Sequence, residues 1–285
     1  MRFNLLILLA MLLWGGGWTA LKILTESVCV EVLSLWRFII MFFSFVPILF
    51  FLKTPLRMPR EGVKYIFTSS ILNILFMVFA YLGVQASTAG SGGVIITILS
   101  PLFTFMLTLF IFKQVHNKLQ YLGLFIGVIG GVIMLNLHDY EAFLRGGEMY
   151  FILAAITWAA VTMIAQKSHL HVNPIHYSFF ISAFAMIILF ILTLPYDISI
   201  VFEQDARFWI ALLYLGILGQ SVATTVFFVA SGKLGSEKAS SFMFLVPLFS
   251  LLVSSLVLDE KIQTHIIIGG IVSLLAVYFI NKKMT

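Results

Sequence analysis

Apolar runs of roughly 20 residues follow one another along the whole chain, and the polar stretches between them are short. That pattern leaves few folds open. A helix needs about 20 apolar residues to cross about 30 Å of hydrocarbon, and in lipid only helices and closed barrels satisfy every backbone N–H and C=O internally. Composition points the same way, because 61% hydrophobic residues with 10% charged, including 29 Phe, are more than a polar surface could cover in water. An all-α integral membrane fold is expected. The runs predict ten transmembrane helices near residues 4–24, 32–52, 63–84, 88–112, 119–137, 148–167, 174–194, 207–230, 236–258 and 262–281. No stretch is long or polar enough for a soluble catalytic or nucleotide-binding module. Cys29 is the single cysteine, so the chain has no second one for an internal disulfide.

The chain also repeats itself. Leu99-Ser100-Pro101-Leu102-Phe103 returns as Leu245-Val246-Pro247-Leu248-Phe249, and both the Pro101/Pro247 and the Gly123/Gly269 pairs are 146 positions apart. With a cytoplasmic N-terminus, 12 Lys and Arg residues fall on the inner side, against four (Lys22, Arg145, Arg207, Lys261) on the outer side. Both termini then face the cytoplasm by the positive-inside rule. Five spans per copy is an odd number, so the expectation is two inverted five-helix repeats. Such repeats let one half rock against the other around a shared central site. The net charge of +5 follows from the inner-side bias and carries no nucleic-acid footprint.

Several segments in order resemble a known family. Trp14-Gly15-Gly16-Gly17 followed by Lys22, then Arg37-Phe38, Ala89-Gly90-Ser91, the two Leu-x-Pro-Leu-Phe segments and Asp259-Glu260-Lys261 leading to Gly269 resemble the EamA domains of the drug/metabolite transporter superfamily. The resemblance covers two tandem domains, 5–136 and 149–281. One position departs from it: Gln114 stands where the pattern favours Glu, at the place of Glu260 in the second copy. The resemblance implies ten helices, inverted repeats and export or exchange of small metabolites such as amino acids.

Polar side chains within spans usually face a cavity or another helix. Trp14, Trp18 and Lys22 share one helix face at four-residue spacing, and Trp158, Thr162 and Gln166 repeat that face 144 positions later. Asn73, Met77 and Tyr81 share a face of the third span, and Gln220 and Thr224 one of the eighth. An aromatic and hydrogen-bonding lining of this kind suits a small organic solute with one apolar part and a few polar atoms. The plainer reading is packing, since Trp and Tyr anchor at interfaces and Asn or Thr bond to neighbouring helices. Pro101 and Pro247 each withhold an N–H from the carbonyl four residues earlier, at Thr97 and Met243, so a kink with a free acceptor and a hinge are expected. The Gly123, Gly127, Gly131 ladder reads as close packing, within a monomer or a weak homodimer.

Lys22 and Arg37 either attract a carboxylate or phosphate, or snorkel outward, or pair with Glu26 and Glu31. No Asp or Glu is expected deep in any span, with Glu148 at an edge. A proton-coupled exporter of organic cations needs such a carboxylate. A carrier of neutral, zwitterionic or anionic solutes is therefore preferred, with proton-coupled drug efflux and a channel-like facilitator as alternatives. Ser100 and Ser254 have no His or carboxylate partner at similar depth, which argues against an enzyme. The expected partners are a small-molecule substrate and the lipid bilayer of the plasma (inner) membrane. No cofactor, metal or catalytic residue is expected.

Overall fold

The computed structural model describes residues 2–52, 56–87, 89–135, 147–257 and 264–282. Lys53, Arg145, Asp259-Glu260-Lys261 and Lys283 lie outside the described residues. What is described is a helical bundle without strands: α1 (Arg2–Thr25), α2 (Val30–Leu52), α3 (Arg60–Ala86), α4 (Ala89–Ile111), α5 (Lys118–Leu135), α6 (Gly147–Ser168) and α7 (Pro174–Leu192). After a 3-10 turn (Ile198–Glu203) come α8 (Ala206–Leu213), a π-helical segment (Tyr214–Ala223) and α9 (Thr224–Leu234), continuous with one another. Then follow α10 (Ser236–Ser241), a 3-10 turn (Phe242–Leu245), α11 (Val246–Val257) and α12 (Thr264–Asn281). Among the described residues seven helical stretches are long and apolar enough to span a bilayer, the last being Ala206–Leu234. Lys118–Met134 and Ile267–Asn281 are shorter apolar helices.

Local chemistry sets the helix starts. Asn117 and Gln120 exchange backbone-to-side-chain bonds of 2.9 Å each at the start of α5, a reciprocal cap. Asn173 accepts from the Ile175 N–H ahead of Pro174, and Asp205 accepts from the Phe208 N–H. The two proline segments differ in form. Pro101 sits in an unbroken α4, whereas Pro247 is preceded by the 3-10 turn. Pro247 has no N–H to give Met243, so the Val246 N–H closes a tighter ring onto the Met243 carbonyl. The free acceptor expected at Met243 is therefore occupied.

Packing is reciprocal between the two halves of the chain. α1 lies against the π segment and α11, while α6 lies against α3 and α4; α2 pairs with α7 and α5 with α12. The α5/α12 seam is the closest. A Cβ on Gly269 would stand 2.5 Å from the Gly130 carbonyl, and one on Gly130 would stand 2.9 Å from that of Gly269. Gly123 faces Ile280, Gly127 faces Phe244 and Gly131 faces Ile98, so the ladder packs against this chain's own helices.

Contacts also sort the connections onto two ends of the bundle. His171, after α6, meets Glu61 at 3.1 Å and stacks on Tyr65, both at the start of α3. At the opposite end Trp36, early in α2, donates to the Ile198 carbonyl at 2.9 Å, and Ser87 donates to Glu148 at 2.9 Å. Glu148, expected at a span edge, is buried at 6% exposure, and Glu237 is buried at 2%. Gln114 donates to Glu237 at 2.9 Å, a bond a second carboxylate could not make. His116, in the α4–α5 connection, is buried against Thr108 at 3.2 Å.

Gly269→Val overpacks the α5/α12 seam, at a cost of about 1–3 kcal/mol, and should lower the melting temperature in detergent by several degrees. Gly219→Ala, whose new methyl meets nothing nearer than 3.7 Å, should not lower it. Burial holds the His116 imidazole below its usual pKa, with Glu237 partly opposing the shift. The folded state then binds fewer protons than the unfolded chain, so this contribution is complete above about pH 6.5 and declines as pH falls below it. Melting curves of His116→Gln should fall less steeply with acidification than those of the parent.

Candidate substrate cavity

The helices converge on a cavity of about 100 Å³ whose wall is drawn from both halves of the chain. From α1 come Leu13, Trp14, Gly17, Trp18 and Leu21; from α2, Arg37; from α3, Phe76, Met77, Ala80 and Tyr81. α4 adds Ile96 and Thr97, α6 adds Trp158, and the π segment adds Leu215, Gly219 and Gln220. Thr224, Met243 and Val246 complete it. Most of this wall is apolar. An engineered cavity of about 150 Å³ holds benzene, so this smaller cavity has no room for a polycyclic drug in this conformation.

Trp14 and Trp158 meet edge to face with ring centroids 5.3 Å apart. Phe76 lies 4.8 Å from Trp158, and Phe227 lies 4.9 Å from Trp14. Edge-to-face pairs are worth about 0.5–1.5 kcal/mol beyond their buried area, and here the pair joins α1 to α6. The indole Nε1 of Trp14 donates to the Gly219 carbonyl at 3.1 Å. That carbonyl belongs to the π segment, where backbone bonds skip five residues and the turn is wide. The Thr224 N–H and its Oγ1, at 3.1 Å, donate to the same oxygen. Close approach to α1 needs small residues. A Cβ on Gly15 would stand 2.7 Å from the Ser250 backbone nitrogen on α11.

Arg37 is the one charged residue in this wall among the described residues. Its Nη1 donates to the Tyr81 hydroxyl, and its Nη2 donates to Gln220 Oε1 at 2.9 Å. The side chain is 9% exposed and meets no carboxylate among the described residues, so pairing with Glu26 or Glu31 is not what the structure shows. Desolvating a guanidinium costs several kcal/mol that two neutral partners offset only in part.

Of the residues singled out from sequence, Trp14, Trp18, Tyr81, Trp158, Gln220 and Thr224 line this cavity together. Lys22, Asn73 and Thr162 do not. Lys22 is exposed near the end of α1, Asn73 is buried and donates to the Ser69 carbonyl at 2.8 Å, and Thr162 donates to its own helix at the Trp158 carbonyl, also 2.8 Å. Pro101 and Pro247 are buried outside the wall, although Thr97 and Met243, four residues before each, belong to it. Gln166 serves elsewhere, accepting from the Ser236 N–H at 2.9 Å at the start of α10. Arg37 is the cavity residue that span reading left undecided. The signal was its charge inside an apolar run.

Comparison with known proteins agrees with this architecture. The chain is 24% identical over 266 residues to the uncharacterized transporter YoaV of Bacillus subtilis (strain 168), covering 91% of this chain and 90% of that protein. It is 26% identical over 295 residues to an uncharacterized transporter of Archaeoglobus fulgidus, covering 99% and 98%. It is also 27% identical to the uncharacterized transporter sll0355 of Synechocystis, covering 81% and 75%. A protein of known crystal structure shares the fold, with a TM-score of 0.73 at 16% identity over 98% of this chain and 96% of that one. The EamA-like transporter family model matches residues 1–136 and 145–282. With both stretches matched and a multi-helical membrane architecture around one cavity, the chain belongs to the EamA-like transporter family.

Proposed function

We propose that the protein is a secondary carrier of the plasma membrane that moves a small metabolite by alternating access through the Trp14/Trp158 cavity. In this reading ten membrane segments form two inverted five-helix repeats, within 5–136 and 149–281, and both termini are cytoplasmic. The observation that carries it is the reciprocity of packing around one cavity: α1 against the π segment and α11, α6 against α3 and α4, with α2/α7 and α5/α12 pairing like with like. Inverted repeats packed in that way could close one site toward either face, which is what alternating access requires.

Direction is supported by the His171–Glu61 contact. It puts the end of α6 beside the start of α3, which supports opposite courses for α6 and α1. Charge supports the orientation, since Arg57, Arg60, Lys64, Lys113, Lys118 and Lys167 gather at that same end and Arg207 at the other. The cavity wall carries no Asp or Glu among the described residues, which favours a solute that is neutral, zwitterionic or anionic, such as an amino acid, over a cationic drug. Export is the proposed net direction. Pro101 and Pro247 sit one turn from cavity residues and are proposed as hinges. The glycine ladder is consumed within the bundle, which supports a monomer.

Purified protein in liposomes should show saturable, counterflow-stimulated flux of its solute, whereas a channel would show neither saturation nor counterflow. Trp14→Ala and Trp158→Ala should each lower that flux by about tenfold or more, the loss of an aromatic anchor worth about 1.5 kcal/mol or more, with membrane insertion unchanged. Normal flux in both variants would remove this cavity from the pathway.

A further inference from the structure

Resting on the carrier reading, we infer that the cavity selects an organic monocarboxylate: an anionic head on Arg37 and an apolar, preferably aromatic, body against the contiguous ring surface of Trp14, Trp158 and Phe76. The unsatisfied polar atoms of the wall are the guide. Among the described residues, the buried side-chain polar atoms of the wall without a partner are Arg37 Nε and Trp158 Nε1, and both can only donate. The hydroxyl of Tyr81 accepts from Arg37, so its own hydrogen remains to be given. Trp14 Nε1 and Thr224 Oγ1 are occupied on the Gly219 carbonyl, and Thr97 Oγ1 on the Gly93 carbonyl. A ligand that completes this site must bring acceptors.

The charge of the site says the same. Arg37 spends two of its five N–H donors on Tyr81 and Gln220, so Nε–H and one hydrogen on each Nη are left for a planar two-oxygen anion. No acidic side chain lines the wall among the described residues, so an ammonium would enter beside an unneutralised guanidinium with no anionic partner. Among neutral, zwitterionic and anionic solutes the monocarboxylate is the one that neutralises the site, because a zwitterion brings its own ammonium beside the guanidinium.

The test uses the full chain in detergent and in liposomes with four probes that share one ring: phenylacetate, 2-phenylethanol, phenethylamine and phenylalanine. Phenylacetate should bind most tightly by tryptophan-fluorescence quenching and should show counterflow. Arg37→Gln should weaken phenylacetate by on the order of tenfold to a hundredfold, as loss of a charged hydrogen bond does, and 2-phenylethanol by clearly less. Trp158→Phe, which keeps the ring and removes the N–H, should weaken phenylacetate by about twofold to tenfold and remains informative if Arg37→Gln does not fold. The inference is overturned if any of the other three probes binds as tightly as phenylacetate, if phenylacetate does not bind, or if a folded Arg37→Gln or Trp158→Phe binds phenylacetate like the parent. Counterflow of another probe without phenylacetate binding would reject the carboxylate site and keep the carrier; phenylacetate binding without flux of any probe would do the reverse.

Discussion

In hydrocarbon every backbone carbonyl must find a donor within the protein, and the shape of this bundle follows from how that requirement is met where the helix is irregular. At Pro247 the chain lacks the N–H that Met243 would use, and the backbone tightens into a 3-10 turn so that Val246 supplies one. In the π segment the chain widens instead, and the Gly219 carbonyl collects donors from Thr224 and from Trp14 of the other half. Both irregular places border the cavity. The Phe242–Leu245 turn is buried, and the π segment turns Gly219 and Gln220 inward while Ile217 and Leu218 face outward.

No single contact holds the halves together. A neutral hydrogen bond such as Trp14 to Gly219 contributes about 0.5–1.5 kcal/mol, and the Trp14/Trp158 ring pair about as much. The long seams between α5 and α12 and between α3 and α6 carry the association, and glycines there bring backbones into van der Waals contact. The cavity itself is then free to hold a feature that weakens the resting state. A buried Arg37 with neutral partners is such a feature, and binding an anion there would recover the lost hydration.

Much of the helical layout was legible because apolar length is set by the bilayer, and the described helix ends fall close to the expected spans. The indole pair was legible because duplication printed it twice. Shared spacing overreached at Lys22: eight residues from Trp14 the helix face has turned by about 80°, so Leu21 lines the cavity and Lys22 is exposed. Thr162 and Asn73 lie on the expected stripes but bond within their own helices. Arg37 could not be placed by hydropathy, which gives depth along a helix but not the direction a side chain faces. The π segment has no pattern of its own, since a few wide turns leave the apolar run unchanged.

The opposed orientation of the two halves is the point on which solute exchange through a common cavity depends. It is tested most directly by thiol labelling in intact cells with a membrane-impermeant maleimide. Exposed Cys29, between α1 and α2, should react from outside. Leu170→Cys, in a Cys29→Ser background and at the corresponding place after α6, should react only once the membrane is opened. Labelling of both positions from the same side would contradict the inverted arrangement.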